Sequence, residues 1–264
     1  MFALRRPRAL ASCVPVIQGS LLDLDLDLDL DLDVGPGADR DVAAGVGAAG
    51  RGGAAETVGA DGAIGSGAGP ARLRRLDGAV ERELLDEGAW VDVRRSWVAG
   101  ATGLFERLVD TVDWHAQRRR MYERVVDVPR LTAFFDDGEE LPDPILAGAL
   151  DLLGAYYRAE PGSALRTVGL CLYRDGQDSV AWHGDTIGLG ATSDVVVAIV
   201  SLGATRRLSL RPRGGGAARR FDLGSGDLLV MGGSCQRTWE HAIAKTAKPV
   251  GARVSIQFRP AGVR

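Results

Sequence analysis

The period of the hydrophobic positions changes twice along the chain. Residues 21–33 read LLDLDLDLDLDLD, a strict alternation of the kind a β-strand shows. One face of such a strand would carry six carboxylates, which repel along a shared edge. The run is therefore either a cation-binding or edge-pairing strip, or a simple repeat of the coding sequence; the repulsion favours the repeat. Residues 34–71 are mostly Gly, Ala and Asp, with too few large apolar groups to offset the entropy of ordering them. Within them, Gly62-Ala63-Ile64-Gly65-Ser66-Gly67 follows no apolar strand, so it does not read as a dinucleotide-binding loop. The pattern predicts a disordered low-complexity extension over 1–71 and one folded domain over 72–264.

Inside that domain, residues 79–84 and 89–93 pattern as a hairpin turning at Asp86-Glu87-Gly88. Leu104, Phe105, Leu108, Val109 and Val112 repeat at helical spacing, which predicts a helix over about 101–112. The stretch from Gln117 to Val128 includes a strand, and Leu131 to Leu141 reads as an acidic loop. Asp143-Pro144 opens a second helix, with Asp at the cap and Pro in the first turn. Its apolar positions run to Tyr157, and Pro161-Gly162-Ser163 ends it. Short β-rich runs then follow at 165–173, 194–202, 205–211, 219–223, 227–232 and 252–259, with Gly-rich turns between them. Helices first and strands after predict an α+β domain whose helices brace one face of a β-sandwich or barrel.

Charge sharpens the division. Residues 1–69 hold five Arg and ten acidic groups, whereas 70–264 hold 27 basic and 25 acidic groups, so the folded part is slightly basic. Thirty of the 32 basic residues are Arg, as coding bias in a GC-rich genome would give, and Arg also fits phosphate in a bidentate manner. Cys13, Cys171 and Cys235 are few, odd in number and far apart, which excludes zinc-ribbon and thioredoxin patterns and fits a reducing, cytoplasmic compartment. No apolar run reaches the roughly 18 residues of a membrane span. Leu10-Ala11-Ser12-Cys13 has the form of a lipoprotein cleavage site, but Arg5, Arg6 and Arg8 leave no room for an apolar segment before it.

Three His residues are present. His183 and Asp185 are two apart, so on a strand both side chains would share one face. With His241 they make the two-His, one-carboxylate set that occupies one face of an octahedral metal, as in non-haem iron(II) oxygenases. The bare spacing is common by chance. His115 has no partner motif and reads as structural, while Asp175 and Asp178 read as shaping the turn around Gly176. Arg253, Ser255 and Gln257 share one face of the final strand. An Arg facing a β core is costly unless an anion meets it, and a dicarboxylate would supply one. The alternative is that Arg253 and Arg259 lie on solvated faces.

The run from Leu172-Tyr173-Arg174-Asp175-Gly176 to Trp182-His183-Gly184-Asp185 closely resembles the metal-binding segment of AlkB-like dioxygenases. Gly226-Asp227-Leu228-Leu229-Val230-Met231-Gly232-Gly233 resembles the strand before that family's second His, and Trp239-Glu240-His241 and Arg253 to Arg259 follow in the family's order. The resemblance covers about 72–264 and is strongest over 168–259. It implies a double-stranded β-helix, or jelly-roll, with helices outside. It further implies iron(II) on His183, Asp185 and His241, and 2-oxoglutarate on Arg253 with Tyr173, Ser255 and Arg259.

The implied reaction is oxidative demethylation of N-alkylated bases in DNA or RNA, a direct reversal of alkylation damage. The alternative is the same chemistry on a protein or small molecule. Two departures bear on this choice. Cys171 stands where the family has an Asn that helps hold the cosubstrate, and Thr186-Ile187-Gly188 stands where it has an acidic residue that reads the exocyclic amine. The expected partners are 2-oxoglutarate, O2 and single-stranded or locally unpaired nucleic acid, with no membrane and with the chain acting as a monomer. Residues 206–220 carry six Arg and no acid, and Arg220 matches a base-contacting Arg of the family. Arg118-Arg119-Arg120-Met121-Tyr122 lies where the family has its nucleotide-recognition lid, so Tyr122 and Trp182 are expected to touch a base.

Overall fold

The computed structural model describes residues 69–121 and 124–263, excepting the side chains of 119–127. Residues 1–68 of the expected disordered extension, and Tyr122, lie outside the described residues. Fourteen strands and three helices are present among the described residues. In chain order they are β1 (Arg72–Leu73), β2 (Glu81–Leu84), β3 (Ala89–Arg94), β4 (Val98–Ala99), α1 (Ala101–Thr111), β5 (His115–Met121), β6 (Arg124–Phe135) and α2 (Pro144–Tyr156). After them come β7 (Leu165–Tyr173), β8 (Val180–His183), β9 (Val197–Gly203), β10 (Arg206–Pro212), β11 (Arg219–Leu223), β12 (Leu228–Gly233), α3 (Cys235–Thr238), β13 (Trp239–Ile243) and β14 (Arg253–Pro260).

Eight strands form one antiparallel sheet in the order β2-β3-β12-β9-β14-β7-β6-β5, and four form a second in the order β11-β10-β13-β8. The two sheets face each other across an apolar layer, as in a jelly-roll. The large sheet is buried on both faces, and its period-two alternation assigns each residue to one of two cores. Val200 of β9 and Val254, Ile256 and Phe258 of β14 pack outward against Leu104 and Leu108 of α1 and Leu146 and Leu153 of α2. Val197 and Ile199 of β9, with Leu229 and Met231 of β12, point inward against Leu208, Leu210, Phe221 and Leu223 of the small sheet. The inner side of β14 is left to Arg253, Ser255, Gln257 and Arg259.

The hairpin forms as the pattern predicts, with Glu81 opposite Val93 and Leu84 opposite Trp90. The second helix starts where its cap signal lies, with the Ile145 amide donating to the Asp143 carboxylate at 3.0 Å. The expectation of a loop over Leu131–Leu141 is corrected over its first half. Leu131–Phe135 belongs to β6 and pairs with β7. Leu131, Ala133 and Phe135 alternate into the helix-side core, and the acidic loop begins only at Asp136. The sharing of one strand face by His183 and Asp185 is also corrected. β8 ends at His183, and Asp185 lies in the loop beyond it.

The β2–β3 edge is tied to the end of α2 by a buried polar contact. Asp92 accepts from Arg82 Nε at 2.7 Å, from Arg82 Nη2 at 2.9 Å and from the Tyr157 hydroxyl at 3.0 Å. Burial, then the Asp92 charge, holds the Tyr157 hydroxyl well above its ordinary value of 10.0. The folded chain therefore keeps a proton that the unfolded chain releases, so this contribution to stability is full below about pH 10 and declines above it. Tyr157→Phe is expected to cost about 1–2 kcal/mol in urea unfolding at neutral pH and to flatten the alkaline decline. An unchanged alkaline limb would show that Tyr157 does not govern it.

Candidate metal centre and anion site

β13 and β8 are antiparallel neighbours, and their register sets His241 directly opposite His183. Opposed residues share a face, and the two imidazoles lie 4.2 Å apart between ring centroids. The His183 Nδ1 lies 2.9 Å from the Ala181 carbonyl oxygen. A carbonyl only accepts, so Nδ1 carries the hydrogen and Nε2 presents its lone pair to the site. Asp185 is brought in by the loop after β8, with one carboxylate oxygen 3.9 Å from His183 Nε2. One ligand atom from each of His183, Asp185 and His241 lies within 4.8 Å of the others.

The surroundings fix the charge state of this triad. Asp185 is buried, its amide donates to Gln236 Oε1 at 2.8 Å, and its second oxygen accepts from Arg259 Nε at 2.7 Å. Burial alone would raise its pKa, but Arg259, His241 and His183 together hold it well below the usual carboxylate range. Burial lowers His183, against the opposing pull of Asp185. His241 is depressed to about 3 by burial and then by His183, with Asp185 opposing and Arg259 and Arg130 adding to the fall. Two neutral imidazoles and one carboxylate are the protonation states a divalent metal requires.

Close approach at this site depends on absent side chains. A Cβ at Gly184 would lie 2.5 Å from the Gln236 carbonyl oxygen, so only Gly lets the chain turn between the ligands. On β7, a Cβ at Gly169 would sit 2.9 Å from an Arg259 nitrogen, in the space through which Arg259 reaches Asp185.

Next to the triad, on the same face of β14, Arg253 is 1% exposed. Its Nε donates to Ser201 Oγ at 2.8 Å, while Nη1 and Nη2 have no hydrogen-bond partner among the described residues. The Tyr173 ring lies 5.2 Å from the guanidinium carbon, and burial pushes the Tyr173 hydroxyl up to about 12. Gln257 is turned onto Ser255, donating to its Oγ at 2.7 Å, and accepts the Cys171 thiol at 3.8 Å. Arg206 is also buried, but it donates to the carbonyls of Asp175, Asp178 and Ala244. Two buried, unanswered donors on a fixed cation are a site for an anion.

A family model described as the 2OG-Fe(II) oxygenase superfamily matches residues 89–259. The chain belongs to that superfamily. Iron(II) is the metal of this 2OG-Fe(II) oxygenase and 2-oxoglutarate its cosubstrate, and both fit what the residues offer. The triad has the right ligand set, and the unpartnered nitrogens of Arg253 await a carboxylate.

Within the superfamily the chain is similar to AlkB homologues. It is 32% identical to "DNA oxidative demethylase ALKBH2" of Arabidopsis thaliana, over 41% of this chain and 42% of that protein. It is 28% identical to "Alpha-ketoglutarate-dependent dioxygenase alkB homolog 3" of Homo sapiens, over 68% of this chain and 66% of that protein. A mimivirus protein, "Uncharacterized protein R406", is 39% identical over 34% of this chain. The match spans about half the length of the viral and Arabidopsis relatives, 47% and 42%. In fold, the chain is similar to OsALKBH1, with a TM-score of 0.50, 14% identity and coverage of 68% of this chain and 100% of that one.

The structure brings together His183, Asp185, His241, Tyr173, Arg253, Ser255 and Arg259. Arg259 meets Asp185, the carboxylate of the candidate triad. Trp182 alternates with His183 and faces outward, where the Arg211 guanidinium stacks on its ring at 4.3 Å. Arg220 lies on the same outer face, opposite Ser209 in the β10–β11 register. Tyr122 lies outside the described residues. His115 is exposed, with Asp113 at 3.6 Å. Asp175 and Asp178 do shape their turn, accepting from the amides of Gln177 and Arg174.

Sequence reasoning missed Gln236 and Arg130. Gln236 comes from a single-turn helix, where periodicity carries no signal. Arg130 donates to the Ser179 carbonyl at 3.1 Å and alternates with Leu131 and Ala133, a pattern hidden by reading that stretch as a loop.

Arg253→Met is expected to abolish the rise in melting temperature that 2-oxoglutarate gives the manganese(II)-loaded protein. Without ligand, the variant should be at least as stable as the parent, because it removes an unpaired buried charge. Calorimetry with and without 2-oxoglutarate checks both; an undiminished ligand shift would remove Arg253 from the anion site.

Proposed function

We propose that this dioxygenase removes alkyl groups from N-alkylated bases of DNA or RNA, reversing alkylation damage directly. The observation that carries the reading is the inter-sheet interior, where the small sheet and its loop present the His183, Asp185 and His241 triad and β14 of the large sheet presents the unanswered nitrogens of Arg253. Iron(II) and 2-oxoglutarate, bound there, supply oxygen activation: O2 is consumed, a substrate C–H bond is hydroxylated, and succinate and carbon dioxide leave. His183 and His241 offer neutral lone pairs, and Asp185 offers an anionic oxygen. Gln236 and Arg259 hold Asp185 in its orientation. Arg253 takes the distal carboxylate, with the Tyr173 and Ser255 hydroxyls beside it. An N-hydroxymethyl product releases formaldehyde without further help from the protein.

Relatives named as a DNA oxidative demethylase and as alkB homologues support a nucleic-acid substrate. Within the Arg-rich stretch 206–220, Arg220 is exposed on β11 and supports phosphate contact, whereas Arg206 is buried on backbone carbonyls and Arg207 and Arg219 pair with Asp222 and Glu83. A base must leave its stack to reach a metal between two sheets, which favours single-stranded or locally unpaired substrate. We place the chain, as a monomer, in the reducing cytoplasm, where its scattered Cys remain thiols. Among the described residues no helix is long and apolar enough to cross a membrane.

A second reading, hydroxylation of a protein or small molecule, is favoured by the loop after Asp185. Ile187 is 60% exposed and Leu189 52% exposed, so the residues next to the ligand offer apolar surface and no acid to read an amine.

Single-stranded oligonucleotides carrying 1-methyladenine or 3-methylcytosine should release formaldehyde only with iron(II) and 2-oxoglutarate. His183→Ala should lose nearly all of that turnover. Succinate formed without formaldehyde on any methylated base, together with no salt-sensitive binding to single-stranded DNA, would favour the second reading.

A further inference from the structure

Asp185 lies beyond the end of β8, so the sheet does not hold it. Loops of this kind are mobile unless tied down. The run of chain after β14 supplies ties on two levels. Arg259, near the end of β14, grips the Asp185 carboxylate at 2.7 Å. Four residues later, Val263 forms an isolated antiparallel bridge with Gly188, three residues beyond Asp185.

The fit between these segments is close. Gly188 has φ +75°, and a Cβ there would lie 1.8 Å from the Gly262 carbonyl oxygen, so any side chain would push the two apart. Gly190 packs against Asp185 itself: a Cβ there would lie 1.9 Å from the Asp185 carbonyl oxygen and 3.6 Å from Val263 Cγ1. Val263 is 1% exposed and is anchored in the inter-sheet core, and its amide donates to the Pro260 carbonyl at 3.3 Å. An apolar anchor therefore holds a backbone bridge, and the bridge holds the metal-bearing loop.

We propose that Gly262-Val263 is a latch that positions Asp185 for the metal, with Val263 as a positioning residue rather than a ligand. The latch rests on the metal reading of His183, Asp185 and His241. Groups that orient a metal's ligands typically govern affinity by about 10–100-fold.

The test uses the full chain without metal, titrated with cobalt(II) and followed by its visible ligand-field band. Val263→Asp breaks the latch from its own side, and Gly188→Ala breaks it from the loop side. Both are expected to weaken cobalt(II) binding by about tenfold or more and to shift the band of the bound ion. Val263→Ile should restore both. A merely structural contact would lower the melting temperature and leave the band of the bound ion unmoved. If either folded variant binds within twofold of the parent with an unchanged band, the latch is overturned. If the parent gives no band that depends on His183, the metal reading itself fails, and the latch with it.

Discussion

The inner side of β14 carries two guanidinium groups into the interior of a β-sandwich, and among the described residues a carboxylate meets only one of them. Arg259 is answered by Asp185, and Arg253 keeps two buried nitrogens unanswered. An isolated buried charge costs several kcal/mol even after relaxation. Burial accordingly lowers the pKa of Arg253, while the pairing with Asp185 raises that of Arg259. The protein tolerates this because a sheet with both faces covered fixes its own strands. The helix-side core of Val254, Ile256 and Phe258 holds β14 in place whatever its other face contains. The site is thus a scaffold whose electrostatics a bound anion would complete.

The same excess of positive charge organises the metal ligands. Burial first, with Arg130 and Arg259 adding to it, disfavours protonation of both imidazoles, and Arg259, with the two His, keeps Asp185 ionised against its burial. Burial and these fixed cations together leave three side chains in the charge states that a divalent ion would need, in a field that would suit a dicarboxylate. Arg253 and Arg259 both interact with Cys171 and Tyr173, so the two ends of this row share their electrostatics.

Much of this was legible in the sequence, for reasons that differ by element. Long strands such as Leu165–Tyr173 and Arg253–Pro260 declare themselves, the first as a near-continuous apolar run buried on both faces and the second as an alternation of polar and apolar positions. The Asp143-Pro144 cap marks its helix start through local hydrogen bonding alone. The triad was visible as residue types, and the resemblance around Tyr173 to Asp185 gave it weight. What escaped was set by tertiary contact. β8 and β13 are four and five residues long, with a bulge between them, so they offer too few positions to show a period. The outward turn of Trp182 follows from its place beside His183, and only the pairing of β8 with β13 reveals it. Gln236 and Val263 touch the metal loop from distant positions, so neither carries a local signal.

The split of the large sheet into two cores has a consequence for how such a protein can change over time. Outward positions of β14 answer only to the helices, and inward positions only to the chemistry. Packing would thus let helix-side residues change together with α1 and α2 without disturbing the odd-numbered row from Arg253 to Arg259. A lineage can exchange its entire outer layer, and with it most of its recognisable identity, without altering the reaction it carries.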